Sequence, residues 1–196
     1  MKLNKVVALT GGIGSGKSYA LSVLSDAGYP TLSSDEIVKE LYQTNAVKKK
    51  LKRLFPFAVS GKKELVLDKS IIANTVFKDQ KLHQKLTKTI TPLVLKEIKK
   101  RTKAMVGLVF VEVPLLFECK YQKYFDAVMV IKRDKNTRIA SVMARNNMTE
   151  DQVLERMNKQ VDYDNLDLSE CLVVENDGDL SFLKGKVLQI AYELDI

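Results

Sequence analysis

Gly11-Gly12-Ile13-Gly14-Ser15-Gly16-Lys17-Ser18 fits the pattern G-x-x-x-x-G-K-[ST]. The run in front of it, Lys5-Val6-Val7-Ala8-Leu9-Thr10, reads as a buried strand. Behind it, Ala20, Leu21, Val23, Leu24 and Ala27 recur at helical spacing. Strand, glycine loop and helix in that order are the context the pattern needs. Glycines let the backbone wrap an anion and turn its N–H groups inward, and the positive helix end adds to the attraction. The expected phosphate cradle is Gly12, Ile13, Gly14, Ser15, Gly16, Lys17, Ser18 and the following Tyr19. Lys17 is the expected cation for the β- and γ-phosphates of a nucleoside triphosphate, and the Ser18 hydroxyl an expected Mg²⁺ ligand.

The 196 residues suffice for one α/β core with insertions. No apolar run reaches membrane-spanning length, and Met1-Lys2-Leu3-Asn4-Lys5 leads straight into the first strand without a signal-peptide pattern. Cys119 and Cys171 lack metal-type spacing and read as reduced, and the single His83 rules out a multi-histidine metal site. These features point to a soluble cytoplasmic protein. The net charge of +8 is uneven: residues 44–105 hold 17 basic and 4 acidic residues, whereas residues 106–196 hold 11 and 16. A basic middle block favours an anionic partner, or is a solvated lysine-rich surface. Phe55, Phe57 and Phe77 are its only base-stacking candidates, so nucleic acid has little support.

Further strands are expected at residues 31–32, 106–111, 127–131 and 172–174. With helices between them they predict a parallel five-stranded sheet in a three-layer α/β/α fold of the P-loop NTPase type. Residues 46–104 read as mostly helical: one helix over 65–77, and another over 80–103 bent or restarted at Thr91-Pro92. This block reads as an inserted substrate-binding lobe. Helices are expected at 137–145 and 150–161, with a capping box at Thr149 and Gln152, and a closing helix at 180–194. The first two form a lid reading, because Arg138, Arg145, Arg156 and Lys159 cluster there and guanidiniums suit phosphate oxygens. Arg145, at its helix end, is the favoured one.

Two carboxylates stand out. Glu112 closes the strand at 106–111, the Walker-B pattern, in which the acid supports Mg²⁺. Asp35 follows the second strand at the sheet edge where ligands bind. Its residue type allows two roles, helix N-cap or acceptor of a proton from an attacking hydroxyl.

These stretches together resemble the dephospho-CoA kinase family. They are residues 8–18, Ser34-Asp35-Glu36-Ile37, Glu112-Val113-Pro114-Leu115-Leu116-Phe117-Glu118, Arg145-Asn146-Asn147-Met148-Thr149, Arg156 with Gln160, and Asn176-Asp177-Gly178. The resemblance implies phosphorylation of the ribose 3′-hydroxyl of dephospho-CoA by ATP, the last step of coenzyme A synthesis. It implies catalytic roles for Asp35, Lys17 and Arg145, and an adenine contact at Asn176. It divides the chain into a nucleotide-binding core (1–43, 106–135, 168–196), a helical CoA-binding insertion (44–105) and a lid (136–167). The sequence as a whole is read as that of a cytoplasmic monomer or weak homo-oligomer that binds neither nucleic acid nor membrane. Three positions depart from the family pattern. Ser33 replaces the first of two acids and Thr91 a histidine, and Ser141 stands where the first lid helix usually has an arginine.

Other readings are a different small-molecule P-loop kinase, a basic nucleic-acid-binding ATPase, and a GTP switch. The last needs N-K-x-D, and Asn158-Lys159-Gln160-Val161-Asp162 has one residue too many.

Overall fold

The computed structural model describes residues 4–62 and 64–196. Met1-Lys2-Leu3, expected to lead directly into the first strand, and Lys63 of the basic block lie outside the described residues. The chain forms two compact units: the part up to Ser33 together with Thr102–Ile196, and Ser34–Arg101.

The first unit is built on five parallel strands, β1 (Lys5–Thr10), β2 (Thr31–Ser33), β5 (Leu108–Glu112), β6 (Ala127–Lys132) and β7 (Leu172–Glu175). Their order is β2-β5-β1-β6-β7. Helices α1 (Lys17–Asp26) and α8 (Leu180–Asp195) cover one face. There, Val7 and Leu9 of β1 join Phe110, Met129 and Ile131, and Leu24 and Leu183 close over them. The alternate residues Ala8, Val109, Val111, Val128 and Val130 are buried as well. Burial on both faces explains why these strands read as continuous apolar runs rather than alternating ones. The chain leaves β1 towards β2 on one side, and β5 connects across β1 to β6 on the other. The order therefore reverses at β1, and such a switch point opens a crevice at the carboxyl ends of the strands. The glycine loop starts there.

The same unit carries α6 (Lys135–Asn146) and α7 (Glu150–Met157). Thr149 caps α7 with the expected capping box to Gln152. The helix stops at Met157, short of the expected residue 161. Gln160 and Val161 turn away because they bond outside the helix, to the Ile13 N–H and the Glu118 carboxylate respectively.

The second unit contains α2 (Ser34–Leu41), α3 (Asn45–Leu54), the short hairpin β3 (Val59–Ser60) and β4 (Val66–Leu67), α4 (Lys69–Lys78) and most of α5 (Gln80–Thr102). It starts at Ser34, ahead of residue 44, and within it Arg101 of α5 pairs with Glu40 of α2 as well as with Glu97. The hairpin and the late start of α4 differ from the helix expected over 65–77. Asp68 makes the helix boundary, since its carboxylate accepts from the N–H groups of Ser70 and Ile71. Helix α5 runs through Pro92 without restarting. Ile90, Val94 and Ile98, spaced by four, are buried along one side and hold it as one element.

Candidate active site

The loop between β1 and α1 is held in shape by residues from distant parts of the chain. Gly16 precedes α1 with φ +102°, and a Cβ on it would lie 2.5 Å from Asn176 Nδ2. Only glycine meets both conditions. The same Asn176 Nδ2 donates to the Ser15 carbonyl at 2.8 Å, and its backbone N–H donates to Lys132 O at 2.8 Å. Asn176 is buried. Expected as an adenine contact, its amide here braces the phosphate loop against the end of β6.

Lys17 donates to Gly11 O at 2.8 Å and Gly12 O at 2.9 Å, so its ammonium sits inside the loop it belongs to. Ser15 Oγ is buried and has no hydrogen-bond partner among the described residues. On the other side, the Ile13 N–H donates to Gln160 Oε1 at 2.7 Å. Thr10 Oγ1 and Tyr163 OH are 3.2 Å apart, and Tyr163 stands edge-on to Phe117. Burial pushes the Tyr163 phenol up to about 12.

Glu112 is level with Leu9 of β1 and with Ser33 of β2 in the sheet register. Its Oε1 accepts from Ser18 Oγ at 3.2 Å. The expected metal pair thus comes together although 94 positions separate the two residues.

Two arginines join Lys17 at the loop, Arg138 and Arg133. Arg138 is buried, and a Cβ on Gly12 would lie 2.2 Å from its Nη1. Its Nη2 reaches Asp164 at 3.5 Å, and its buried Nε has no hydrogen-bond partner among the described residues. Beside it is a cavity of about 350 Å³ lined by Lys135, Arg138, Gln160, Tyr163 and Asn165 among others. Arg133 Nη1 donates to Ser141 Oγ at 3.0 Å and reaches Gly14 O at 3.4 Å.

Three further expected residues are Arg145, Tyr19 and Asp35. Arg145 is exposed in the last turn of α6, where its Nε donates to Asn146 Oδ1 at 3.1 Å. The Tyr19 hydroxyl donates to Leu180 O at 3.3 Å, towards α8. Asp35 is exposed in the first turn of α2, in the second unit.

Residues 5–181 match the family model for dephospho-CoA kinase. The chain belongs to this family. It is 30% identical over 190 residues to a dephospho-CoA kinase of Thermus thermophilus, covering 96% of this chain and 91% of the relative. It is 28% identical to a dephospho-CoA kinase of Streptococcus agalactiae serotype III, covering 98% of this chain and all of the relative. The solved structure of TT1252 from Thermus thermophilus superposes with a TM-score of 0.85 at 30% identity, over 98% of this chain and 99% of that one. Dephospho-CoA kinases phosphorylate dephospho-CoA in the last step of coenzyme A synthesis, with ATP as the phosphoryl donor.

Sequence reasoning passed over Arg133 and Tyr163, and left Gln160 as a motif residue without a role. A signal for Arg133 was available. It directly follows a strand, at the C-terminal sheet edge that drew notice to Asp35.

Proposed function

We propose that this chain transfers the γ-phosphoryl group of Mg·ATP to the ribose 3′-hydroxyl of dephospho-CoA, giving CoA and ADP. The observation that carries the reading is the contact between Ser18 and Glu112 at the head of a phosphate loop, in a chain that matches the family from residue 5 to 181.

Ser18 Oγ and Glu112 Oε1 are hard oxygen donors within one contact of each other, which suits Mg²⁺ completed by phosphate oxygens and water. When bound there, the ion neutralises phosphate charge. The loop N–H groups and Lys17 hold the β- and γ-oxygens, with Lys17 exchanging its two loop carbonyls for phosphate. Asp35 orients the acceptor hydroxyl and takes its proton as its oxygen bonds to the γ-phosphorus. ADP leaves with the electrons of the broken P–O bond. Arg145 neutralises charge when residues 136–167 close as a lid, and residues 44–105 grip the acceptor. Positioning and electrostatics supply most of the rate gain. The enzyme acts in the cytoplasm as a monomer or weak homo-oligomer, without nucleic acid.

The test is ADP release with Mg·ATP, comparing dephospho-CoA with adenosine, AMP, dCMP and no acceptor. Turnover confined to dephospho-CoA, with CoA as the second product, is the expected outcome. Turnover with a different acceptor, or hydrolysis that ignores the acceptor, overturns the reading.

A further inference from the structure

Arg133 is half-buried directly after β6, and its backbone is pinned on both sides. Lys132 O accepts from the Asn176 N–H at 2.8 Å, and the Asp134 N–H donates to Asp177 Oδ1 at 2.9 Å. This fixes where the side chain starts. The guanidinium then reaches Ser141 Oγ and Gly14 O, both neutral acceptors. Its Nε is buried with no hydrogen-bond partner, and no carboxylate forms an ion pair with it, among the described residues.

A buried N–H of a charged group without a partner carries a desolvation cost that natural structures rarely leave unmet. Arg138, the other arginine at the loop, already has Asp164. Arg133 has a planar donor fork, no counter-charge among the described residues, and a contact to the third glycine of the phosphate loop. The partner that fits is a planar or tetrahedral oxyanion.

We propose that Arg133 is a nucleotide-binding residue: its guanidinium binds phosphate oxygens of the ATP or ADP held on residues 11–18. Ser141, which stands where the family pattern has an arginine, acts as the hydroxyl that steadies Arg133 from α6. The inference rests on the phosphotransfer reading above, and deepens it by assigning a phosphate contact to a strand-end residue.

The experiment measures ADP and ATP affinity by isothermal titration calorimetry, alongside KM for both substrates and thermal unfolding. The proteins are wild type, Arg133→Met, Arg133→Lys, Arg133→Ser, and the double variant Arg133→Ser with Ser141→Arg. Nη1 lies 3.0 Å from Ser141 Oγ, so an arginine at 141 can bring its guanidinium to nearly the same place. The expected result is about tenfold weaker ATP and ADP binding in Arg133→Met. KM for dephospho-CoA and the Tm stay near wild type. Arg133→Lys recovers part of the affinity, and the double variant recovers most of what Arg133→Ser loses. Wild-type nucleotide affinity in Arg133→Met overturns the proposal. So does an affinity loss in Arg133→Ser that the double variant fails to restore while folded, because that marks a structural role. Failure of wild type itself to bind either nucleotide overturns the phosphotransfer reading instead.

Discussion

Arg138 lies over Gly12 so closely that a Cβ on the glycine would come within 2.2 Å of the Arg138 Nη1. Arg138 is itself buried, so its guanidinium has little room to withdraw. Gly12→Ala therefore displaces the arginine, the loop, or both. We expect KM for ATP to rise about tenfold or more and Tm to fall by a few degrees, in line with an overpacking cost of about 1–3 kcal/mol. In the double variant Gly12→Ala with Arg138→Ser, Tm recovers and KM does not. Steady-state kinetics with thermal unfolding checks both parts.

The Ser18 and Glu112 pair makes a separate prediction. If these two oxygens hold Mg²⁺, then Ser18→Ala and Glu112→Gln each raise the Mg²⁺ concentration for half-maximal rate, by about tenfold for loss of one ligand. A Mg²⁺ titration at fixed ATP reads this directly. Unchanged Mg²⁺ dependence in both variants would remove the metal assignment.

Asp35 separates chemistry from capping. As the proton acceptor, its replacement in Asp35→Asn lowers kcat by about a hundredfold or more, with ATP affinity within about twofold of wild type. As a first-turn residue of α2 only, it loses no more than the helix-dipole attraction of about 0.3–1 kcal/mol and leaves kcat within a few fold. Single-turnover kinetics, calorimetric ATP binding and denaturant unfolding decide between these results.

Tyr163 predicts an alkaline limit to stability. Its phenol is pushed up to about 12 from the ordinary 10.0, burial being the largest cause. Below about pH 10 the folded and unfolded forms are both protonated at this residue, and its contribution is constant. Between about pH 10 and 12 the unfolded chain releases the proton and the folded one keeps it. Stability therefore falls as pH rises through that window, by up to about 2–3 kcal/mol. Tyr163→Phe removes this part of the pH dependence at the cost of the contact with Thr10. The difference between the two proteins in urea unfolding across the same alkaline window isolates it, since burial also raises Tyr29 and Tyr42.

What the chain reveals in linear form is what local physics dictates. The phosphate loop was legible because its strand, glycines and helix are contiguous. The inner strands were legible because burial on both faces leaves no polar position to break the run. The capping box at Thr149 and Gln152 is a four-residue device. The hairpin at Val59–Ser60 and Val66–Leu67 was not legible, since two-residue strands have no period to detect.

By itself, then, the sequence determined the parallel α/β core, the position of the phosphate loop, and the pairing of a Walker-type serine with Glu112. Tertiary structure alone decided how distant residues pack around that loop. Gln160, Tyr163, Asn176 and Arg133 lie more than a hundred positions from it. Arg133 and Asn176 meet it because β6 and β7 place their carboxyl ends on the same edge as β1, and Gln160 and Tyr163 meet it from the segment after α7. Such contacts leave no periodic trace, because each depends on a single side chain delivered by a strand or turn whose own pattern reports only its burial.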